Sequence, residues 1–289
     1  VAELARDFLS HNTDLSSGFA WMQIILKDTI VADDTFTYLV SEGYSLSTEG
    51  LQSTNDTPIY DFVGLPLDNT NGRIMVTESG TNAIPYYSNS DGVDYSTEAY
   101  NLSNASLGNT LIAEKTNSSQ MIRSFIVTPS MSSVVFDFND DTQSIIVDVL
   151  RCSKFDAVNL LYVNKFGFKT KFPFILKSTE KISVESDSFS RSTVDYGALT
   201  LNTSSHSSRK RIKDTKQSFV LNSDWIAEYY VSQFEELILS EYVWLEKGSL
   251  TLPVNITTSK LDKKTHINDK LINYSIEVET ASNYINTIR

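Results

Sequence analysis

The stretch Ile272-Asn-Tyr-Ser-Ile-Glu-Val-Glu279 decides the fold class, because apolar and polar side chains alternate along its whole length. Such alternation is the pattern of a β-strand with one buried and one solvated face. Residues 250–256 alternate in the same way, and residues 246–249 before them have the composition of a turn. Together with residues 242–245, these segments predict an antiparallel meander of three strands.

One amphipathic helix is predicted just before this meander. Asn222, Ser223 and Asp224 are suited to capping the free backbone amides of a first helical turn. The apolar side chains that follow recur at helical spacing and form one stripe: Ile226, Tyr230, Phe234, Leu237 and Ile238. We therefore expect one long helix at about residues 223–241, packed on the C-terminal sheet.

The rest of the sequence also favours β structure. Ser, Thr and Asn are abundant, whereas the chain has only 11 Gly and 6 Pro, and 14 Tyr and 15 Phe supply large side chains for a core. Aromatic residues fit a pleated surface, and Ser, Thr and Asn compete with helical hydrogen bonds. Further strands are predicted at residues 121–128, 133–138, 144–150, 160–163, 172–176, 181–188, 198–203 and 217–221. The expected class is mainly β (α+β), with antiparallel sheets arranged as a sandwich or barrel.

Charge divides the chain into two unequal parts. Residues 1–150 carry a net charge of −15, whereas residues 151–289 carry +3. This division predicts an acidic, loop-rich β domain over 1–150 and a second β domain over 151–289 with the helix and the C-terminal strands. Complementary charge would suit head-to-tail association of copies. Two domains of different solubility would explain the same numbers.

A basic run in the second half is the strongest candidate for an interface. Its members are Arg209, Lys210, Arg211, Lys213 and Lys216. Contact with phosphates is one reading, but a chain of net charge −12 is repelled by nucleic acid and no aromatic residues interrupt the run. We expect no sequence-specific nucleic-acid binding. An ionic contact with an acidic surface of another subunit fits better, and an exposed loop without a partner is the alternative.

A second motif is a weak match to a calcium loop. Asp137, Asn139 and Asp141 place oxygen atoms at alternate positions, and Asp148 falls at the twelfth position from Asp137. Thr142 stands at the sixth position, where Gly is expected, and the flanking segments resemble strands. A solvated hairpin turn accounts for the same residues, so no metal is expected.

The sequence lacks the common signatures of catalysis, membrane insertion and export. It contains no P-loop, no G-x-G-x-x-G and no G-x-S-x-G, and its three histidines lie far apart. Cys152 has no second cysteine to pair with, which excludes an intrachain disulfide. No apolar run reaches the length of a transmembrane helix, and residues 1–11 lack the features of a signal peptide. We therefore expect no enzyme activity, no cofactor, no membrane association and no classical export.

From about Leu160 to Asn283, the sequence resembles virion structural proteins from the tail-module genes of tailed bacteriophages. The resemblance rests on ordered motifs: Leu161-Tyr-Val-Asn-Lys-Phe-Gly167, Phe172-Pro-Phe174, Leu221-Asn-Ser-Asp-Trp225, Glu235-Glu-Leu237, Ser240-Glu-Tyr-Val-Trp244, Pro253-Val-Asn-Ile-Thr257 and Asn268-Asp-Lys-Leu-Ile-Asn-Tyr274. Such proteins assemble as rings or plates. The resemblance implies a structural component of the tail, the neck or head–tail connector, or the baseplate. Its partners would be copies of itself in a ring and other virion proteins, in a particle made in the host cytoplasm.

Two other functions stay open on the sequence alone. A receptor- or carbohydrate-binding tail protein is the first, because loops rich in Trp, Tyr and Asn, including Trp21, Tyr86 and Tyr87, would suit sugars. A cell-wall hydrolase is the second, although the sequence offers no constellation of catalytic residues to test.

Overall fold

The computed structural model describes most of the chain from residue 72 onward and parts of the segment before it. The described residues are 9, 11–14, 18–26, 34–41, 72–88, 96–100, 106–108, 111–117, 120–138, 141–151, 154–192, 194–195, 197, 200–201, 204, 206–258, 260 and 271–282.

Strands dominate the structure, so the predicted mainly β class is confirmed. The strands up to residue 150 are β1 (Phe19–Leu26), β2 (Asp34–Ser41), β3 (Arg73–Thr77), β4 (Asn82–Ser88), β5 (Ser96–Tyr100), β6 (Ser106–Gly108), β7 (Leu111–Asn117), β8 (Gln120–Val127), β9 (Ser133–Phe138) and β10 (Asp141–Leu150). Those after it are β11 (Val158–Val163), β12 (Lys169–Phe174), β13 (Thr179–Ser190), β14 (Val194–Asp195), β15 (Thr200–Leu201), β16 (Ser208–Asn222), β17 (Ile226–Ala227), β18 (Val243–Lys247), β19 (Leu250–Ile256), β20 (Leu271–Ile272) and β21 (Ser275–Thr280).

Two sheets of the first half share one core. A five-stranded sheet has the order β3-β10-β9-β5-β6, and a three-stranded sheet has the order β4-β8-β7. Buried apolar side chains from both sheets touch one another, including Ile74 and Ile145 from the first and Ile84 and Phe125 from the second. The predicted hairpin of residues 133–138 and 144–150 is confirmed as the antiparallel pair β9 and β10.

A seven-stranded antiparallel sheet makes up most of the second half, with the order β12-β11-β18-β19-β21-β16-β13. Its edge strands β12 and β13 are joined by residues 175–178 alone, and the five steps from Phe174 to Thr179 span at most about 18 Å. A flat sheet would hold its edge strands roughly 29 Å apart. The sheet must therefore curl, and Lys247 on β18 comes within 4.0 Å of Glu180 on β13.

The curl encloses a large core, which the helix closes. Ile276 and Val278 of β21 are fully buried, whereas Ser275 and Glu277 are exposed, as the alternation predicted. Helix α1 (Val231–Leu239) contributes Phe234, whose ring lies 4.6 Å from that of Tyr274, centroid to centroid. The predicted meander is confirmed as β18-β19-β21. Its first turn is tight and places Gly248 at φ +61, where a side chain would strain the backbone.

The helix is shorter than predicted and begins later. Helical residues run from a 3-10 turn at Glu228–Tyr230 to Leu239, not over 223–241. The proposed cap was wrong because the sheet uses those residues instead. The Ser223 N–H donates to the Tyr274 carbonyl, and the Tyr274 N–H donates to the Ser223 hydroxyl. β17 then pairs with β20 before the helix starts.

The predicted division into two domains at residue 150 stays a prediction. Every strand of the curled sheet lies after that residue, and the sheets of the first half lie before it. Side chains nevertheless join the two parts, since Met75 of β3 belongs to the core inside the curled sheet.

Candidate functional site

The most unusual surface is a two-stranded ribbon that extends from the curled sheet. Strand β13 is at the sheet edge, and β16 pairs with β21 only over Ser218–Asn222. Over 181–190 and 208–217 the two strands have only each other as paired neighbours in the sheet. We call these two segments the arm. Ten residues per strand give it a length of roughly 33 Å.

One face of the arm continues the apolar face of the core, and its apolar side chains are about half exposed although Thr215 on the same face is buried. Phe219 is buried and lies opposite Glu180, so the even-numbered residues of β13 share its face. Ile182 and Val184 are each 52% exposed on that face. A β-bulge after Glu185 shifts the register, so that Ile212, 51% exposed, lies opposite Ser186 and joins them.

The opposite face carries charge and one exposed aromatic ring. Near the body, Lys216 contacts Glu279 at 3.0 Å and Lys181 contacts Glu277 at 3.8 Å. Farther out, Phe189 is 50% exposed and lies opposite Arg209. The arm therefore offers apolar and basic groups to solvent on both faces.

All five basic interface candidates lie on the arm. They form part of strand β16 and not of a loop, and whether they contact another subunit stays a prediction. The structure extends this strand well before the predicted start at residue 217 because β13 supplies a pairing partner along its whole length. Lys213 pairs with Asp187 at 2.9 Å and Lys216 with Glu279. Within the described residues, no carboxylate pairs with the outer three cations, Arg209, Lys210 and Arg211.

The residues of the calcium-like motif lie on the β9–β10 hairpin. Asp137 is on β9 and Asp141 begins β10, whereas Asn139 lies outside the described residues. A twelve-residue loop does not form, because Asp148 is seven extended residues beyond Asp141, roughly 23 Å along the strand. The expectation that this turn holds no metal stays a prediction.

The remaining sequence-based predictions concern the aromatic residues suited to sugars, Cys152, metal sites and membrane spans. Trp21 lies on β1 and Tyr86 and Tyr87 on β4, so the expected aromatic loops are strands at these positions. Cys152 lies outside the described residues. In the part of the chain that the structure describes, no three His, Cys, Asp or Glu side chains are grouped as a metal site would need. No helix there is both long and apolar enough to span a bilayer.

A half-buried polar cluster ties the first half to the helical turn before the helix. The Asp148 carboxylate accepts from the Arg73 guanidinium at 2.7 Å, from the Tyr230 hydroxyl at 2.7 Å and from the Tyr229 hydroxyl at 3.3 Å. The Arg73 guanidinium also lies 5.5 Å from the centre of the Tyr229 ring. Sequence reasoning missed this cluster, since its members are separated by about 80 residues and match no local motif.

The electrostatics of this cluster fit a structural tie. Burial, followed by the hydrogen bond to Asp148, raises the pKa of Tyr230 far above its usual range. Burial likewise raises the pKa of Tyr229, and the hydrogen bond to Asp148 raises the pKa of Arg73. Both tyrosines thus stay protonated donors and Arg73 stays charged. The carboxylate has three donors around it, so its oxygen atoms are bonded within the protein.

A second tie is made by the buried side chain of Asn82 at the start of β4. Its amide nitrogen donates to the carbonyls of Met75 and Lys171, at 2.8 and 3.0 Å. Its oxygen accepts from the backbone N–H of Lys171 at 3.0 Å and of Ala83 at 2.9 Å. Lys171 is on the edge strand β12, so one side chain satisfies both backbone groups that this residue turns outward.

The described N-terminal residues lie against the outer face of the curled sheet. The His11 ring stacks on Tyr242 at 4.4 Å between centroids. Gly18, at φ +86, passes so close that a Cβ there would be 2.3 Å from the His11 ring. Below them, the buried ammonium of Lys169 donates to the Asp14 carbonyl at 2.7 Å. Burial lowers the pKa of Lys169 to about 8, against an opposing effect of Asp14.

This lysine predicts a rise of stability with pH. Its pKa is 10.5 when unperturbed and about 8 in the fold, so between these values the unfolded chain binds more protons. Below pH 8 the burial of the charged ammonium lowers the free energy of unfolding by its full amount. This loss becomes smaller as the pH rises toward 10.5, because the folded protein releases the proton first. We expect Lys169 to add about 2 kcal/mol to the free energy of unfolding between pH 7 and pH 9.5.

Chemical denaturation of the wild type and Lys169→Met across this pH range measures the effect. The free energy of unfolding of the wild type, measured relative to that of Lys169→Met, should increase by about 2 kcal/mol as the pH rises from 7 to 9.5. Lys154→Met, at an exposed position, is the control and should show no such trend. A pH-independent difference for Lys169→Met would contradict the predicted pKa.

Known proteins provide no further guide to these sites. A scan against models of protein families and a search of curated proteins found no match.

Proposed function

We propose that this chain is a non-enzymatic structural component of a tailed-bacteriophage virion and that it assembles as a symmetric oligomer. Its station would be the tail, the neck or connector ring, or the baseplate. The partners would be copies of itself and other virion proteins, with no sequence-specific contact to nucleic acid and no membrane. The particle would be assembled in the host cytoplasm.

The arm is the observation that carries this proposal. An isolated two-stranded ribbon is marginally stable in water, and this one also exposes Ile182, Val184 and Ile212 along a single face. Contiguous exposed apolar surface on a protein marks a contact with another molecule. A rigid curled sheet with a long protruding ribbon suits a building block that must reach its neighbours.

The polar clusters support an architectural role in a second way. Asn82 bonds to the strands β3 and β12, and Asp148 bonds to Arg73 on β3 and to Tyr229 and Tyr230 before the helix. Their donors and acceptors are taken up by the protein itself. The resemblance over Leu160–Asn283 is the reason for proposing that the assembly is a tailed-bacteriophage particle.

Quantitative mass spectrometry of gradient-purified particles tests the proposal. The particles are those made from the genome that encodes this chain. We expect the chain in a constant number of copies per particle, greater than one, in every fraction that contains intact particles. An abundant non-structural protein of the same lysate is the control and should fall away with purification. Loss of the chain together with that control would overturn the proposal.

A further inference from the structure

The arm raises the question of which surface covers it. In the described structure Ile182, Val184 and Ile212, on the apolar face of the arm, are each more than half exposed. Its apolar face is therefore an incomplete core that another protein surface would complete. The occupant has to present apolar groups beside negative charge, because the exposed outer cations flank the same ribbon.

Charge identifies the occupant. Arg209, Lys210 and Arg211 are exposed and have no carboxylate partner among the described residues. Residues 1–150 of the same sequence carry 20 acidic and 5 basic side chains. A second copy therefore offers an acidic first half to the arm, whose outer cations have no carboxylate partner among the described residues of their own chain.

We propose that the arm docks on the acidic first half, residues 1–150, of a second copy of this chain. The contact is heterologous: the arm of one copy meets a different surface on the next, and repetition closes a ring when the rotation between copies allows it. Ile182, Val184 and Ile212 supply the apolar centre of the contact. Lys210, on the same face as Ile212, and Arg209 and Arg211, on the opposite face, supply the charges that orient it, so the contact includes both faces of the ribbon. This inference rests on the proposed function, because it names the contact by which the oligomer forms.

Native mass measurement of the full chain tests the apolar part of the contact. Ile182→Thr with Ile212→Thr should raise the apparent dissociation constant of the oligomer about 100-fold, because both side chains lie at its centre. Leu239→Gln with Leu250→Thr is the matched control, since these side chains are 46% and 50% exposed away from the arm. The control should change the constant by less than about threefold.

Charge reversal tests the ionic part. Arg209→Glu with Arg211→Glu should dissociate the oligomer at low salt, and salt should weaken the wild-type oligomer about tenfold or more. Lys177→Glu with Lys260→Glu, at exposed positions outside the arm, is the control. A wild-type chain that is monomeric at every salt and protein concentration would overturn the inference. An oligomer that survives both sets of arm substitutions would also overturn it.

Cross-linking identifies the receiving surface. A carbodiimide applied to mixed ¹⁵N-labelled and unlabelled chains should join Lys210 or Lys213 of one copy to carboxylates of residues 1–150 of another. Links between copies that avoid residues 1–150 would overturn the proposed partner surface. Detection of the chain in purified particles is independent of these results, so failure of the docking contact and failure of the proposed function can be told apart.

Discussion

Replacement of Asn82 by Leu should lower the free energy of unfolding by about 3–4 kcal/mol, among the largest effects of any single substitution outside the apolar core. Leucine has a similar volume, so the cost comes from hydrogen bonds. The backbone N–H and carbonyl of Lys171 and the N–H of Ala83 would lose their partner where water has little access. Each buried group left unsatisfied costs about 1–3 kcal/mol.

Denaturant unfolding of Asn82→Leu and a matched control measures this effect. Asn222→Ala is the control, because the Asn222 amide makes one exposed hydrogen bond, to the Lys177 carbonyl at 2.8 Å. It should cost about 1 kcal/mol or less. Asn82→Asp adds a sharper test. Its carboxylate would face two carbonyls, so its stability should recover as pH falls and the carboxylate becomes protonated. Equal losses for Asn82→Leu and Asn222→Ala would contradict the proposed tie.

Replacement of Asp148 by Asn should lower the free energy of unfolding by about 2–3 kcal/mol. The amide keeps the shape of the carboxylate but removes its charge and turns a donor toward the donors of Arg73 and Tyr230. Hydrogen bonds to a charged group contribute about 1.5–3 kcal/mol, and the Tyr230 hydroxyl is on a buried ring.

An exposed ion pair provides the matched control for Asp148. Asp187 and Lys213 lie 2.9 Å apart with more than half of each side chain exposed, so Asp187→Asn should change stability by less than about 0.5 kcal/mol. A double-mutant cycle of Asp148→Asn with Tyr230→Phe should give a coupling energy of about 1 kcal/mol or more. Additive effects would show that the two residues do not form one unit.

Strands were predicted correctly from the sequence where one of their faces is buried and the other is exposed. Ile276 and Val278 alternate with exposed Ser275 and Glu277, because the core accepts one face of β21 and water takes the other. The same physics predicted the meander and the β9–β10 hairpin. The start of the helix was mispredicted because Ser223 bonds to Tyr274, about 50 residues away, and this pairing outweighs local capping.

The β13 side of the arm was predicted as a strand at residues 181–188, whereas the outer part of β16 was not. Both faces are exposed, so no alternation marks residues 208–216, and their β structure comes from pairing with β13. The residues of the candidate interface could be predicted from their charge alone. Their apolar companions could not, because Ile182 and Ile212 share a face only through a register set by a bulge.

The two ties between the halves lay beyond sequence reasoning for a related reason. Asn82 and Lys171 are 89 residues apart, and Asp148 and Tyr230 are 82 residues apart. Nothing in either neighbourhood distinguishes these side chains from the many other polar residues of the chain. Only the fold brings them together.

Electron cryomicroscopy of the particle made from the encoding genome tests the central claim most directly. The account predicts several copies of this fold around a symmetry axis, with Ile182 and Arg211 of each arm covered by residues 1–150 of a neighbouring copy. Arms that extend into solvent or contact only a different protein would contradict the docking contact. A complete particle reconstruction with no density for this fold would contradict the structural role itself.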